Sequence, residues 1–504
     1  MENTNLENIL KRIFSGIHKE ETSIEKVIKK FKNKAKKIIY SFISDTKQVQ
    51  VGPVISAIPA QGIKIEQPGT YYLTNDIIWL PGSEDQYIAI NITCSDVILD
   101  LNGHKITAVC LDHTAEIIGI NVGSLEGCQN ITIQNGELIN MSLHGISAGL
   151  ISNLNIMNIT IKGSEYTYFG GDAFITASGI YIEFSNYVNI TRCTITGVKV
   201  TAPAYAGIQL FASANATVSN CYASNLINLD GTVTGFSYVE GCKHVLTLNC
   251  HSSESRSHYQ ANPLGTTTTF GHTVLGFLPT ACSNLHYENC TATNLRGCCD
   301  DCHGMSIFDS NDVTVVGFRA TGIVDGDAPV NTGAKATGLE VYGNNILVKF
   351  CVVENIFAIV PQDKQSCGFS AAGNNITFES CVANNVLVFD ENRNPTNDYD
   401  KYGYGMGFGW APDPRKPFID MYAKDTIYLN CSSINCQVGF DTWNHINGIW
   451  ENWVVENCNI DVLQQPNTIR IFSMNNCSEL PPGMISPITI RNQSSNNSFI
   501  PVVN

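Results

Sequence analysis

Short apolar runs broken by Asn, Gly and Ser recur along most of the chain. From about residue 90 one phrase returns in variants: Asn130-Ile-Thr-Ile-Gln-Asn-Gly, Asn158-Ile-Thr-Ile-Lys-Gly, Asn189-Ile-Thr-Arg-Cys-Thr-Ile-Thr-Gly and Asn215-Ala-Thr-Val-Ser-Asn-Cys. Later copies begin near Val245, Leu285, Val313, Ile346, Ile376, Ile427 and Trp453, several with Asn-Cys or Ser-Cys at the matching place (Cys250, Cys290, Cys381, Cys431, Cys458). Steps of about 26 to 40 residues dominate, with one near 51. Ahead of each copy stands a Gly, an apolar residue and further alternation: Gly119-Ile, Gly145-Ile, Gly179-Ile, Gly207-Ile, Gly235-Phe, Gly276-Phe, Gly304-Met, Gly338-Leu, Gly368-Phe, Gly405-Met and Gly439-Phe.

Each repeat therefore offers two or three short strands of period two, separated by turn residues, with no consistent room for a helix. One such unit cannot bury its apolar face alone. Stacked in parallel, the units bury a continuous core of Ile, Val, Leu, Phe and Cys. The repeated phrases resemble the right-handed parallel β-helix of the pectin lyase-like superfamily, over roughly residues 65 to 490. The expected fold is all-β: a single-stranded right-handed solenoid over 91–490, preceded by a cap region (51–90) and a basic, mainly helical leader (1–50), and followed by a tail (491–504).

Composition narrows the classes. The chain has 504 residues, 43% hydrophobic and 15% charged, which excludes a disordered chain, and no apolar run reaches signal-peptide or membrane-span length. The expected setting is cytoplasmic or a virion. Nineteen cysteines spread through a long chain, several at one repeating position, read as buried small apolar residues rather than a disulfide framework. Residues 1–50 carry a net charge of +5, and the remaining 454 a net of −20, which argues against nucleic acid as a partner. About twelve Asn-x-Ser/Thr triplets fall mostly inside the repeat, where Asn suits a turn or a stacked ladder, and are read as structural rather than as glycosylation sites.

On a solenoid, chemistry is sought where odd polar residues meet long insertions. The second residue after each Gly is expected to face outward, giving the column Asn121, Ser147, Tyr181, Gln209, Ser237, Leu278, Ser306, Glu340, Ser370, Gly407 and Asp441. The densest chemistry is Cys298-Cys-Asp-Asp-Cys-His-Gly-Met-Ser306, with His272, Lys335, Gln365 and Tyr402 at similar offsets in neighbouring coils. Insertions at 164–177, 252–273 and 390–418 are expected to wall the same side. Tyr399, Tyr402, Tyr404, Trp410 and Trp443 supply rings for stacking on sugars or for packing the loops.

Asp300-Asp301-Cys302 and His303-Gly-Met-Ser306 resemble fragments of two polygalacturonase motifs, in which paired aspartates act as acid and base around a water and a His-Gly phrase adds a supporting histidine. The resemblance implies Asp300 and Asp301 as carboxylates and His303 as support. Neighbouring coils lie about 4.8 Å apart, so either aspartate can pair with Glu340 at hydrolase distances. A lyase or epimerase would instead need a base, a cation to neutralise a uronate and an acid on the other ring face, roles shared among Lys335, His303 and Tyr402. Cys299, Cys302 and His303 form an alternative metal site, and either cysteine an alternative nucleophile, although alternate strand residues face opposite sides. The expected partner is an oligo- or polysaccharide, acidic ones included. Catalytic candidates are Asp300, Asp301, His303, Lys335 and Glu340; substrate-binding candidates are His272, Ser306, Tyr402, Tyr404, Trp410 and Asp441. No cofactor is called for. The alternative classes are a structural or binding β-helix, such as a homotrimeric virion or adhesion protein, and a Cys/His enzyme acting on a small non-sugar substrate.

Overall fold

A computed structural model describes residues 49–463 and 469–470, apart from 51, 83–85, 110–114, 125, 164, 168–175, 230, 258–272, 299–300, 327–334, 360–365, 391, 397–404, 410–421, 442–444 and 447. The leader, the tail and most of the three insertions lie outside these residues. So do Asp300, His272, Tyr402, Tyr404, Trp410, Cys299, Gln365, Tyr399 and Trp443.

Within the described residues the chain is a parallel β-solenoid without helices. Each coil lays one strand on each of three sheets. The first sheet stacks the Gly-containing strands, such as His144–Gly149 on Thr176–Glu183 on Ala204–Phe211, and continues through the start of Asp301–Val316, Lys335–Lys349 and Ser366–Glu379. The second collects the Asn-Ile-Thr segments, Val188 pairing with Leu154 and Ala216. The third follows after a tight turn, with Thr194 opposite Tyr222. The first such coil is built from Ile63–Ile65, Gly69–Leu73 and Ile77–Trp79, so coiling starts ahead of residue 91.

Two local rules explain the repeating phrases. The turn from the second sheet to the third needs one residue of positive φ, and Asn158 (55°), Asn220 (52°), Asn249 (50°), Asn289 (53°) and Asn430 (52°) fill it. Asn tolerates that region better than other side-chain-bearing residues and adds a hydrogen bond between coils, as when Asn158 Nδ2 donates to Asn135 Oδ1 (2.9 Å). The residue that follows turns inward into a small space: Cys193, Cys221, Cys250, Cys290, Cys351, Cys381 and Cys431 are all buried. Their thiols donate to the carbonyl two residues back, Cys221 to Ser219 (3.3 Å) and Cys250 to Leu248 (3.4 Å). Cysteine here is a small core residue with a donor.

The glycines mark a bend in the first sheet at which two successive residues face the core. A Cβ on Gly276 would stand 2.3 Å from the Gly304 carbonyl oxygen, and one on Gly304 would stand 2.5 Å from that of Gly338. A side chain there would push the coils apart, so the position is kept empty. The next residue anchors the core in stacks such as Phe236 on Phe277 and Phe369 on Phe408.

This sheet is unusual in being buried on both faces. Outward positions of the second and third sheets are half-exposed or exposed, whereas His144–Gly149 is buried throughout and Ala204–Phe211 nearly so. The predicted insertions at 164–177 and 252–273 lead from the third sheet into the first, at the edge of this covered face, whereas the one at 390–418 contains the first-sheet strand Gly405–Gly409.

Candidate functional site on the first sheet

Three outward columns cross the first sheet near residue 304. Ser306, Glu340 and Ser370 are in register in one; His303, Thr337 and Cys367 form the second; Asp301 and Lys335 form the third. The first column continues to Gly409, opposite Ser370, and then to Asp441, whose Cβ abuts Gly409. This corrects the sequence alignment, which used Gly405-Met406 and so placed Gly407 in the column. Gly407 belongs to the glycine row: a Cβ on Gly368 would meet its carbonyl oxygen at 2.5 Å, whereas Gly405 backs onto Val386.

The three columns bring five of the sequence candidates together: Asp301, His303, Ser306, Lys335 and Glu340. Lys335 Nζ makes a short ion pair with Glu340 Oε1, and Ser306 Oγ donates to Glu340 Oε2 at 2.9 Å. The His303 ring lies between two carboxyl groups, with Nδ1 3.7 Å from Glu340 Oε2 and Nε2 3.9 Å from Asp301 Oδ2. Those contacts and the width of the ring keep the carboxyl oxygens within about 10 Å of each other, a span that covers the separations used in glycoside hydrolysis.

Burial sets the electrostatics. His303 and Lys335 are 3% and 6% exposed. Burial alone would raise the Glu340 pKa, but the Lys335 charge, His303 and the hydrogen bonds from Lys335 and Ser306 outweigh it and hold it at about 2. Burial likewise works against the Lys335 charge, yet Glu340 and Asp301 push its pKa up. The pair is ionised across the working pH range.

Two polar atoms beside this pair, His303 Nδ1 and Thr337 Oγ1, are buried and have no hydrogen-bond partner among the described residues. Such groups are uncommon in folded proteins and mark places where a ligand group completes the hydrogen bonding. Thr337 and Cys367 were not singled out in the sequence. Their signal was register: both precede the glycine of their coil, as His303 does.

Cys302 sits on the other side. It is fully buried in the core, where burial and the nearby Asp325 carboxylate push its thiol pKa well up. Strand alternation therefore separates Cys302 from His303, which removes the metal site drawn through both residues. It also keeps Cys302 from serving as a nucleophile beside His303. Among the described residues no three His, Cys, Asp or Glu side chains gather as metal ligands.

No protein-family model matches the chain, and no curated protein does. Among solved structures it is similar to the catalytic domain of a GH87 α-1,3-glucanase (14% identity, 90% of this chain and 70% of that one, TM-score 0.42). It is also similar to the tailspike protein of E. coli bacteriophage HK620 (11%, 84% and 72%, TM-score 0.45) and to an exopolygalacturonase from Thermotoga maritima (11%, 69% and 96%, TM-score 0.33).

Proposed function

We propose that the chain is a glycoside hydrolase acting on a neutral oligo- or polysaccharide, with Asp301 and Glu340 as the working carboxyl groups. The observation that carries this reading is the His303 ring set between those two groups in a buried, lysine-locked cluster. Glu340, held at about 2, stays ionised and cannot be the proton donor. It suits the anionic role, activating a water or facing the positive charge that develops on the sugar ring. Asp301, the other carboxyl partner of His303, is assigned as general acid. His303 and Thr337 present their unpartnered atoms to sugar hydroxyls, and Lys335 with Ser306 fixes Glu340.

Charge favours a neutral substrate over a uronate. A lyase needs a free cation to neutralise the uronate and a base to take the proton. Here Lys335 is committed to Glu340 and held protonated, while Asp301, Glu340 and Asp441 line the same face.

The test is a panel of neutral glucans and polyuronates, scored for new reducing ends and for the ultraviolet absorbance of unsaturated lyase products. Hydrolysis of a neutral glycan is expected, falling at least about 100-fold in Asp301→Asn and in Glu340→Gln with unchanged circular dichroism. Full turnover in both variants, or unsaturated products from a uronate, would overturn the reading.

A further inference from the structure

The His303 coil has a counterpart elsewhere on the same sheet. His303-Gly-Met-Ser306 is matched by His144-Gly-Ile-Ser147. The coils that follow also correspond, with Gly338-Leu-Glu-Val-Tyr342 after the first and Gly179-Ile-Tyr-Ile-Glu183 after the second, so that Glu and Tyr have changed places. The register is the same in both: Ser147 pairs with Tyr181 as Ser306 pairs with Glu340. The two histidines stand five coils apart, about 24 Å at the usual strand spacing.

We propose that the His144 cluster is a second saccharide-binding site, one that holds sugar hydroxyls without cleaving the chain. His144 stacks on Tyr181 (5.1 Å between ring centres, 11° between planes), and the Tyr181 hydroxyl donates to Glu183 Oε2 at 2.9 Å. Ser178 Oγ donates to Gln209 Oε1 (3.0 Å) on the next coil. His144 is 8% exposed and Asn121 fully buried, yet His144 Nδ1 and Asn121 Oδ1 have no hydrogen-bond partner among the described residues. Two independent buried orphans on adjacent coils of one face point to a ligand that completes both.

The ligand class follows from the groups present. Burial keeps His144 uncharged against a backbone hydrogen bond with Ser178 that favours the charged ring, so Nδ1 offers either a lone pair or an N–H, while Asn121 Oδ1 and the Glu183 carboxylate accept hydrogen bonds. A hydroxyl, which both donates and accepts, suits both orphan atoms, whereas an anion meets the Glu183 carboxylate. The stacked His144–Tyr181 pair adds an aromatic surface of the kind sugars pack against. Catalysis is not expected, because the position that holds Lys335 in the other cluster is Thr176 here and the carboxylate has moved two residues along the strand.

The inference shares the saccharide class with the reading above but not its residues, so the two can fail separately. Binding of neutral gluco-oligosaccharides of increasing length, and of oligouronates, is measured by titration calorimetry on the full chain. Glu340→Gln is used as background so that nothing is cleaved. Chains long enough to span both clusters are expected to bind more tightly than short ones. His144→Phe, which keeps the ring and loses Nδ1, and Glu183→Gln are each expected to weaken long-chain binding about 3- to 10-fold, the loss typical of one hydrogen bond. Asn121→Val is the second route to the same result if His144→Phe misfolds. Equal affinities in folded variants and parent, or stronger binding of oligouronates, would overturn the proposal. Retained turnover in Asp301→Asn would instead sink the hydrolase reading and leave this one standing.

Discussion

Lys335→Met is the perturbation most tightly constrained by the geometry. It removes the lysine paired with the part-buried Glu340 carboxylate and leaves only His303 beside it; breaking such a pair typically costs about 3 to 5 kcal/mol. A second route gives a similar figure. Glu340 is held at about 2 against an ordinary value of 4.5, and at about 1.4 kcal/mol per unit that is about 3 kcal/mol of folded-state stabilisation of the anion. Because the folded pKa lies below the unfolded one, this contribution is complete above pH 4.5 and disappears as the pH falls towards 2. The raised Lys335 pKa is the same pair seen from the other end: its contribution holds below the unfolded value of 10.5 and fades as the pH rises through the folded one. Urea denaturation followed by circular dichroism, at neutral pH and at steps down to the acid limit, reads both effects. Lys335→Met should lose about 3 kcal/mol at neutral pH and also lose the acid-dependent component, since burial without a counter-ion raises the Glu340 pKa instead of lowering it. Lys335→Met combined with Glu340→Leu should recover most of the loss. A single variant within about 0.5 kcal/mol of wild type, or an unchanged acid limb, would show that the pair does not carry the energy assigned to it.

Other outcomes follow from the coil rules. His144 is held neutral by burial, at about 4 against an ordinary 6.5, so His144→Phe should remove a loss of about 3 kcal/mol that wild type suffers as the pH falls from 6.5 to 4; an unchanged acid limb in the variant would contradict that burial. Thiol titration of the native protein should find Cys94 and Cys458, the two half-buried cysteines among those described, and leave the inward row, Cys193 to Cys431, unreactive until denaturant is added. At the positive-φ turn, Asn220→Gly should be nearly neutral and Asn220→Ala should cost about 1 to 2 kcal/mol in denaturant midpoint, the usual penalty for a left-handed residue with a Cβ. Gly276→Ala should destabilise by more than about 3 kcal/mol, since its Cβ would lie 2.3 Å from the backbone of the next coil; a melting temperature near wild type would mean that the coils separate more easily than the geometry implies.

The solenoid was legible because each coil repeats the same three constraints. A missing side chain at the Gly bend, a left-handed residue at the second turn and a small inward residue after it each restrict the amino acids allowed, and stacking copies that restriction down the chain. Asn-Cys recurs for this reason. The one misregistered coil shows where such reading fails: Gly405 and Gly407 both precede an apolar residue, and only the contact between the carbonyl of Gly407 and the Gly368 position decides between them. Composition cannot show that contact, because it lies between residues about 40 apart in the chain. The paired burial of the first sheet was equally hidden, since a column of Ser, Gln and Asn reads as a wet surface until its outer side is seen to be covered.

The functional residues were legible in a different way. Asp301, His303 and Ser306 stood out as chemically odd residues around Gly304, and Lys335 and Glu340 around Gly338; register then joined them, because residues at equal offsets from stacked glycines must become neighbours. Cys302 stood out for the same reason, but strand alternation, which puts neighbouring residues on opposite faces, sends its thiol into the core and away from His303. The His144 cluster was passed over although its phrase, His-Gly-apolar-Ser, repeats that of His303. Its carboxylate and tyrosine lie one coil further on, so no single window of sequence contains the set. In a solenoid the informative unit is the column rather than the segment. Sites built across coils emerge only when the chain is written out in register, and His144 and His303 then fall in the same outward row.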